Sequence, residues 1–216
     1  MARPLSASQI ALYAADPDEW RRVYLARGKF RVNPGHSLGA DVHRVLARYL
    51  KGEADITPDG QSFRWRGHQW ASHSIAARGV PFLPEPGAAA VERRFDFEVD
   101  GVRLVGIKDA ELPGTIIDHK VWMDDSATPR AHDLPDDIQA AIYAAETFAR
   151  TGAATLILRW VYYRADASRA ESVRVIVTRG RIERTMKRVV ALARHMEEER
   201  RRWDSPQMSL GLPGSL

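Results

Sequence analysis

Apolar positions follow a helical period at both ends of the chain and a two-residue alternation in its middle. Leu38, Val42, Leu46 and Leu50 return every fourth residue, which predicts a helix of about 14 residues from Ser37. Ahead of it, Ser6-Ala-Ser8-Gln-Ile starts a helix with Ser6 or Ser8 as N-cap, and Asp16-Pro17 breaks it. A second helix runs from Asp18 with Trp20, Val23 and Tyr24 at core spacing, and Asn33-Pro34-Gly35 reads as a turn. Residues 51–60 read as a loop. Residues 61–79, with Phe63, Trp65 and Trp70, read as a further helix that would carry His68 and His73 five residues apart. Pro81, Pro84 and Pro86 form an irregular connector.

The pattern then changes to strands. Ala90–Val99 alternates, Asp100-Gly101 is a hairpin signal, and Val102–Leu112 and Thr115–Trp122 supply two more strands. Residues 123–135 are polar and proline-containing, a loop. Asp136–Thr151 is helical up to Gly152, with Ile138, Ile142, Ala145 and Ala149 facing inward. Ala153–Arg164 is apolar and β-branched, Glu171–Thr178 alternates, and Arg181–Trp203 is a long charged amphipathic helix. The expected class is α/β, a mixed central sheet flanked by helices. One domain is expected over residues 1–203: a mainly helical part (1–87), a sheet core (88–178) and a C-terminal helix (179–203), with a flexible tail at 204–216.

With 216 residues, 44% hydrophobic and 28% charged, the composition is that of a soluble globular protein. The absence of cysteine excludes disulfides, thiolate zinc sites, cysteine-ligated iron–sulfur clusters and cysteine nucleophiles. No apolar run approaches the roughly 18–20 residues that span a bilayer, and the N-terminus lacks the apolar core of a signal peptide. A cytoplasmic protein with no membrane partner is expected. The net charge of +4 rests on 27 arginines and only five lysines. It suits phosphate binding, and equally an arginine-rich composition of no functional meaning.

The chemistry concentrates in Val102 to Lys120. Two apolar runs joined by Pro113-Gly114 carry acids at Asp109 and Asp118, and Lys120 follows two residues later. Residues two apart on a strand share a face, so Asp118 and Lys120 project together while Ile117 and His119 point the other way. A carboxylate and an ammonium on a core strand need a partner or a metal. Carboxylates suit Mg²⁺ or Mn²⁺, which activate water for phosphodiester hydrolysis, and a neighbouring lysine orients that water or stabilises developing charge. The bland alternative is a pair of turn-flanking acids with a solvated lysine. On flanking helices, Gly39 and His43 sit one turn apart, as do Gln139 and Tyr143. Gly39 would let its helix approach a neighbour closely. Trp65 and Trp70 fit core packing or base stacking, and the Glu197–Arg202 run fits a solvated helix face.

The order Gly39/His43, Gly106/Asp109, Asp118/Lys120, Gln139/Tyr143 resembles the RecB-like branch of the PD-(D/E)XK nuclease superfamily. The opening Leu5-Ser6-Ala-Ser8-Gln-Ile is similar to that branch's Ser-x-Ser helix start, and the resemblance covers residues 5–165. It implies the superfamily's αβββαβ core with helical additions at both ends. It implies that Asp109 and Asp118 bind the catalytic metal with the His119 carbonyl, and that His43 is a further ligand. It implies that Lys120 is the catalytic lysine, that Gln139 and Tyr143 contact the nucleic-acid strand, and that Glu92 is a secondary acid candidate. Many relatives hold an iron–sulfur cluster by four cysteines. Here Asp16-Pro17 stands in the Cys-Pro place, so no cluster is expected and the terminal helices must dock by packing.

Gln207-Met-Ser-Leu210-Gly-Leu212 resembles the peptide that binds bacterial sliding clamps, with Gln207 at the groove rim and Leu210 and Leu212 inside. A disordered tail with incidental leucines is the competing reading. The expected function is a divalent-metal-dependent DNA nuclease, an exonuclease of recombination, repair or phage DNA metabolism. The alternatives are a catalytically idle DNA-binding or scaffold subunit on the same fold, and a nuclease directed at RNA.

Overall fold

A mixed sheet of six strands carries the acids and the lysine, and helices cover both of its faces. The computed structural model describes residues 3–26, 28, 34–58, 63–65, 68–123 and 127–205. The first half contains β1 (Leu5–Ser6), α1 (Ala7–Ala15), α2 (Pro17–Trp20), α3 (Pro34–Leu50), β2 (Phe63–Trp65), β3 (His68–Trp70) and α4 (Ser72–Ala77). There follow β4 (Ala90–Val99), β5 (Val102–Leu112), β6 (Thr115–Trp122), α5 (Ile138–Thr151), β7 (Thr155–Arg164), β8 (Ala170–Thr178) and α6 (Arg179–Trp203). The run α3-β4-β5-β6-α5-β7 is the expected αβββαβ core. The tail residues Gln207, Leu210 and Leu212 lie outside the described residues, as does Asn33.

The sheet order is β1-β5-β6-β7-β8, with β4 on the other edge of β5. The β6–β7 and β1–β5 pairs are parallel and the rest antiparallel. Asp100 and Gly101 both take positive φ, +50° and +77°, the paired left-handed geometry of a tight hairpin turn. Alternation sorts the strands between two cores. Leu104, Ile116, Leu158 and Trp160 join α1, α5 and α6 on one face, while Ala110, Ile117, Val161 and Tyr163 join α3 and α4 on the other. All four periodic residues of α3 are buried, each contributing roughly 1.5–3 kcal/mol.

The expected helix over 61–79 is corrected. β2 (Phe63–Trp65) and β3 (His68–Trp70) pair antiparallel, and among the described residues of this stretch only Ser72–Ala77 is helical. Phe63 and Trp65 stand two apart, a strand period, and Gly67 breaks the run. His68 and His73 therefore do not share a helix. His73 borders a small cavity with Asp41 and Asp55, away from the acids of β5 and β6.

The terminal helices dock through a defined clasp. Trp20 is fully buried, with the Tyr13 ring edge-on at 5.1 Å and the Arg200 guanidinium over it at 5.4 Å. Glu199 of α6 accepts from Tyr13 Oη at 2.7 Å and from Arg21 Nε at 2.7 Å and Nη2 at 2.9 Å. The Arg21 hydrogen bond holds Glu199 below its ordinary pKa of 4.5, against the upward push of burial. A depressed carboxylate contributes stability above its unfolded pKa and loses it as pH falls through the folded value. The urea midpoint is therefore expected to fall as pH is lowered below 4.5, and less steeply in Glu199→Gln protein. Parallel profiles for the two proteins would exclude Glu199 as a contributor.

Candidate active site

Strand β5 breaks its alternation at Asp109. Lys108 faces α5, Asp109 and Ala110 both face α3, and Glu111 faces α5 again. Opposite this point Glu92 has φ +52°, and the Glu92–Asp109 pair is missing from an otherwise continuous register. A non-glycine residue there strains the backbone, and such strain persists where the surroundings over-determine it. The consequence is a gap. Beyond the short pairing of residues 110–112 with 115–117, β5 and β6 separate, and β1 pairs with β5 at Leu104 and Val105.

Asp109 and Asp118 stand on the two sides of this gap. Asp109 Oδ1 lies 3.2 Å from His43 Nδ1, and Oδ2 accepts the His119 backbone N–H at 2.8 Å. A strand residue's N–H and C=O point the same way, so the His119 carbonyl also faces the gap that β5 has left. Burial raises the pKa of Asp109, but His43 and the His119 N–H lower it further, and it stays ionised. Burial drives His43 down, yet the Asp109 hydrogen bond and charge leave it raised.

Asp118 is 1% exposed and faces α5. Its Oδ2 lies 2.5 Å from Lys120 Nζ without a well-aligned hydrogen bond, and its Oδ1 accepts from Gln139 Nε2 at 3.0 Å. Burial, with Asp109 nearby, pushes Asp118 upward against the pull of Lys120. Lys120 also donates to Gln139 Oε1 at 2.6 Å. Burial lowers its pKa, but the Asp118 charge more than offsets this and keeps it protonated.

Gln139 and Tyr143 are engaged inward. Gln139 donates to Tyr143 Oη at 2.8 Å, and Tyr143 donates to the Ile107 carbonyl at 2.5 Å. Gly106 permits this, since a Cβ there would meet the Phe95 ring at 2.5 Å and Tyr143 at 3.3 Å. Both residues border a cavity of about 340 Å³ together with Ser6, Ser8 and Asp137. Ser6 caps α1 through Gln9 N. A second cavity of about 210 Å³, on the α3 side, is lined by His43, Glu92, Ile107, Asp109 and His119. An open groove passes His36, Gly39, His43, Arg44 and Lys120.

Gly39 meets nothing within 4 Å. It does not bring α3 close to a neighbour, as the sequence suggested; its missing side chain leaves the groove floor bare beside His43. Glu92 sits at the rim, paired with Lys51 at 2.6 Å. The His119 side chain points away from Lys120 as alternation requires, with Nδ1 at 3.2 Å from Tyr163 Oη and Nε2 buried without a partner. Burial lowers its pKa to about 4, so the ring is neutral.

One cluster under the site escaped the sequence reading. Lys108 is fully buried and donates to Glu146 and Thr147 of α5, with Glu111 at 3.4 Å. Arg150 bridges Glu146 at 2.9 Å and Glu111. Lys108 is thus anchored to α5 while the next residue, Asp109, is anchored to α3, which locks the kink from both faces. The scarcity of lysine was the available signal.

Among the described residues no three His, Asp or Glu side chains converge as a ready-made metal cage. Two carboxylates and a carbonyl turned toward the same gap fit an oxygen-seeking ion that fills its shell with water and substrate, as Mg²⁺ commonly does. Asp118 is buried beside Asp109, and Lys120 against its Oδ2 is a single positive charge for two acids, an arrangement that accommodates a further cation.

No described helix is long and apolar enough to cross a membrane. No curated protein matches the chain. A crystal structure from Eubacterium rectale, of a protein whose exonuclease assignment is provisional, shares the fold at TM-score 0.59 and 13% identity, covering 99% of this chain and 90% of that one. A phage-related exonuclease from Haemophilus somnus 129PT aligns at TM-score 0.42 and 14% identity, over 89% and 79%. The model of the PD-(D/E)XK nuclease superfamily matches residues 4–210. With its αβββαβ core and its acids and lysine at the strand gap, the chain belongs to the PD-(D/E)XK nuclease superfamily.

Proposed function

We propose that this chain is a divalent-metal-dependent DNA nuclease of the RecB-like branch, acting on strand ends in recombination, repair or phage DNA metabolism. The observation that carries the proposal is the Asp118–Lys120–Gln139 arrangement facing Asp109 across the strand gap. A scaffold protein has no need of a buried acid pair whose repulsion costs stability.

Asp109, Asp118 and the His119 carbonyl would hold the ion, with His43 beside them. A bound divalent ion lowers the pKa of water and neutralises charge on the phosphate. Lys120 brings a full positive charge to the same spot, aimed by Gln139 and Asp118, where it orients the attacking water and steadies the developing negative charge. Gln139 fixes both polar partners, so neither has to reorganise during reaction. His43 holds Asp109 ionised. Tyr143, through the Ile107 carbonyl, ties α5 to β5 and fixes the width of the gap.

Two measurements test this reading. Labelled DNA and RNA strands of one sequence are incubated with the protein in Mg²⁺, in Mn²⁺ and in EDTA; metal-dependent cutting of DNA is expected, with RNA cut slowly or not at all. Preferential loss of RNA would redirect the assignment. Separately, Mn²⁺ is expected to raise the melting temperature of the wild type and not of Asp109→Ala/Asp118→Asn protein. An equal rise in both would place the ion elsewhere.

A further inference from the structure

The β4–β5 hairpin carries a pair of residues that the acid–lysine chemistry does not use. Arg94 stands directly opposite Ile107 in the antiparallel register, so their side chains share a face. It is the α3 face, because Gly106 abuts Phe95 and Tyr143 on the α5 side and its neighbour must point away. Ile107 is 41% exposed, one of three exposed large hydrophobic residues among those described. Arg94 is exposed as well, and no hydrogen bond or ion pair among the described residues engages it. The charges around it are paired: Glu92 with Lys51 at 2.6 Å, and Asp96 with Arg103 at 2.5 Å.

Their position relative to the acids is specific. Ile107 lies two residues before Asp109 on the same face, about 6.6 Å along the strand, which is the reach of one nucleotide step. Ile107 borders both the α3-side cavity and the α5-side cavity, so it stands where the two compartments meet. Cavities of about 210 and 340 Å³ are comparable in size to single nucleotides. An exposed isoleucine adds little to the fold, but it offers an apolar surface to a base face. A free guanidinium offers paired hydrogen bonds to a phosphate.

The geometry points to Arg94 and Ile107 as the seat of the nucleotide next to the scissile phosphate on a single DNA strand. Arg94 holds that nucleotide's phosphate, and Ile107 holds its base. The seat rests on the nuclease reading for its substrate, but binding tests it without turnover. Fluorescein-labelled single-stranded DNA is titrated with the full chain in EDTA, with fluorescence anisotropy as the readout. A second strand of the same length is built wholly of abasic residues.

Arg94→Gln is expected to weaken binding of both strands about tenfold. It should also reduce the slope of log affinity against log salt by about 0.7, the value for one phosphate on a single strand. Ile107→Ser is expected to weaken the intact strand about threefold or more and to leave the abasic strand unchanged. Both substitutions are on the surface, and melting curves matching wild type separate lost binding from lost fold. Wild-type affinity in both variants would overturn the seat, as would an Ile107→Ser loss that is equal on the two strands. Wild-type protein that binds but never cuts in Mn²⁺ would sink the nuclease reading and leave the seat standing.

Discussion

Lys120→Ala protein is expected to cleave DNA about 10²- to 10³-fold more slowly than wild type, the size of effect seen when one preorganised charge-stabilising donor is lost. The reason lies in what holds the ammonium. Asp118 Oδ2 at 2.5 Å and Gln139 Oε1 at 2.6 Å fix its position, and the Asp118 charge keeps it protonated although it is partly buried. If the charge acts only in the transition state, kcat and kcat/KM fall together. A loss confined to KM would make Lys120 a substrate anchor. Cleavage at the wild-type rate would remove it from the chemistry.

Lys108→Met is expected to destabilise the protein by about 3–5 kcal/mol, the usual consequence of removing one partner of a buried ion pair. Glu146 and Glu111 would keep their charges, with Arg150 and, at Glu111, the half-buried Arg93 left to offset them. The pair itself is finely balanced. Burial pushes Lys108 below its ordinary pKa, whereas Glu146, raised by burial, is brought below its own by Lys108 and Arg150. Desolvation thus offsets much of the attraction, and Lys108→Met/Glu146→Leu should recover most of the loss in urea titrations. A single variant as stable as wild type would show that the network does not hold the kink.

The elements legible in the sequence were those whose signal is local. The α3 stripe of Leu38, Val42, Leu46 and Leu50, the Asp100-Gly101 turn and the alternating β4 needed no distant partner to be read. Asp118 and Lys120 could be placed on one face because alternation alone decides it, and the structure brings them to 2.5 Å. Phe63–Trp70 was misread because three aromatics in a short window fit either period, and the pairing that decides between them lies between two segments of only three residues. β1 is two residues long and exists only by pairing with β5, some hundred residues away.

The site was legible in its residues and not in its geometry. Nothing near Asp109 announces that β5 changes phase there, since the cause includes the Glu92 backbone across the hairpin and the Lys108 anchor on α5. A lone lysine on a strand reads as solvated; Glu146, Thr147 and Arg150 make it a core residue from nearly forty positions downstream. The contact of Gln139 and Tyr143 with the substrate strand is what the family resemblance implies, and their helical spacing by itself says only that they share a face. Their observed partners are Lys120, Asp118 and Ile107, so they shape the site before any substrate reaches it.

The central claim is that the gap between β5 and β6 is a metal-dependent phosphodiesterase site. Its most direct test compares wild-type and Asp118→Asn protein, purified in parallel, on end-labelled linear DNA in Mn²⁺. The account predicts cutting by the wild type that EDTA stops, and none above background by the variant, which differs by one buried atom group at the acid that faces Lys120. Equal cutting by the two proteins would contradict it.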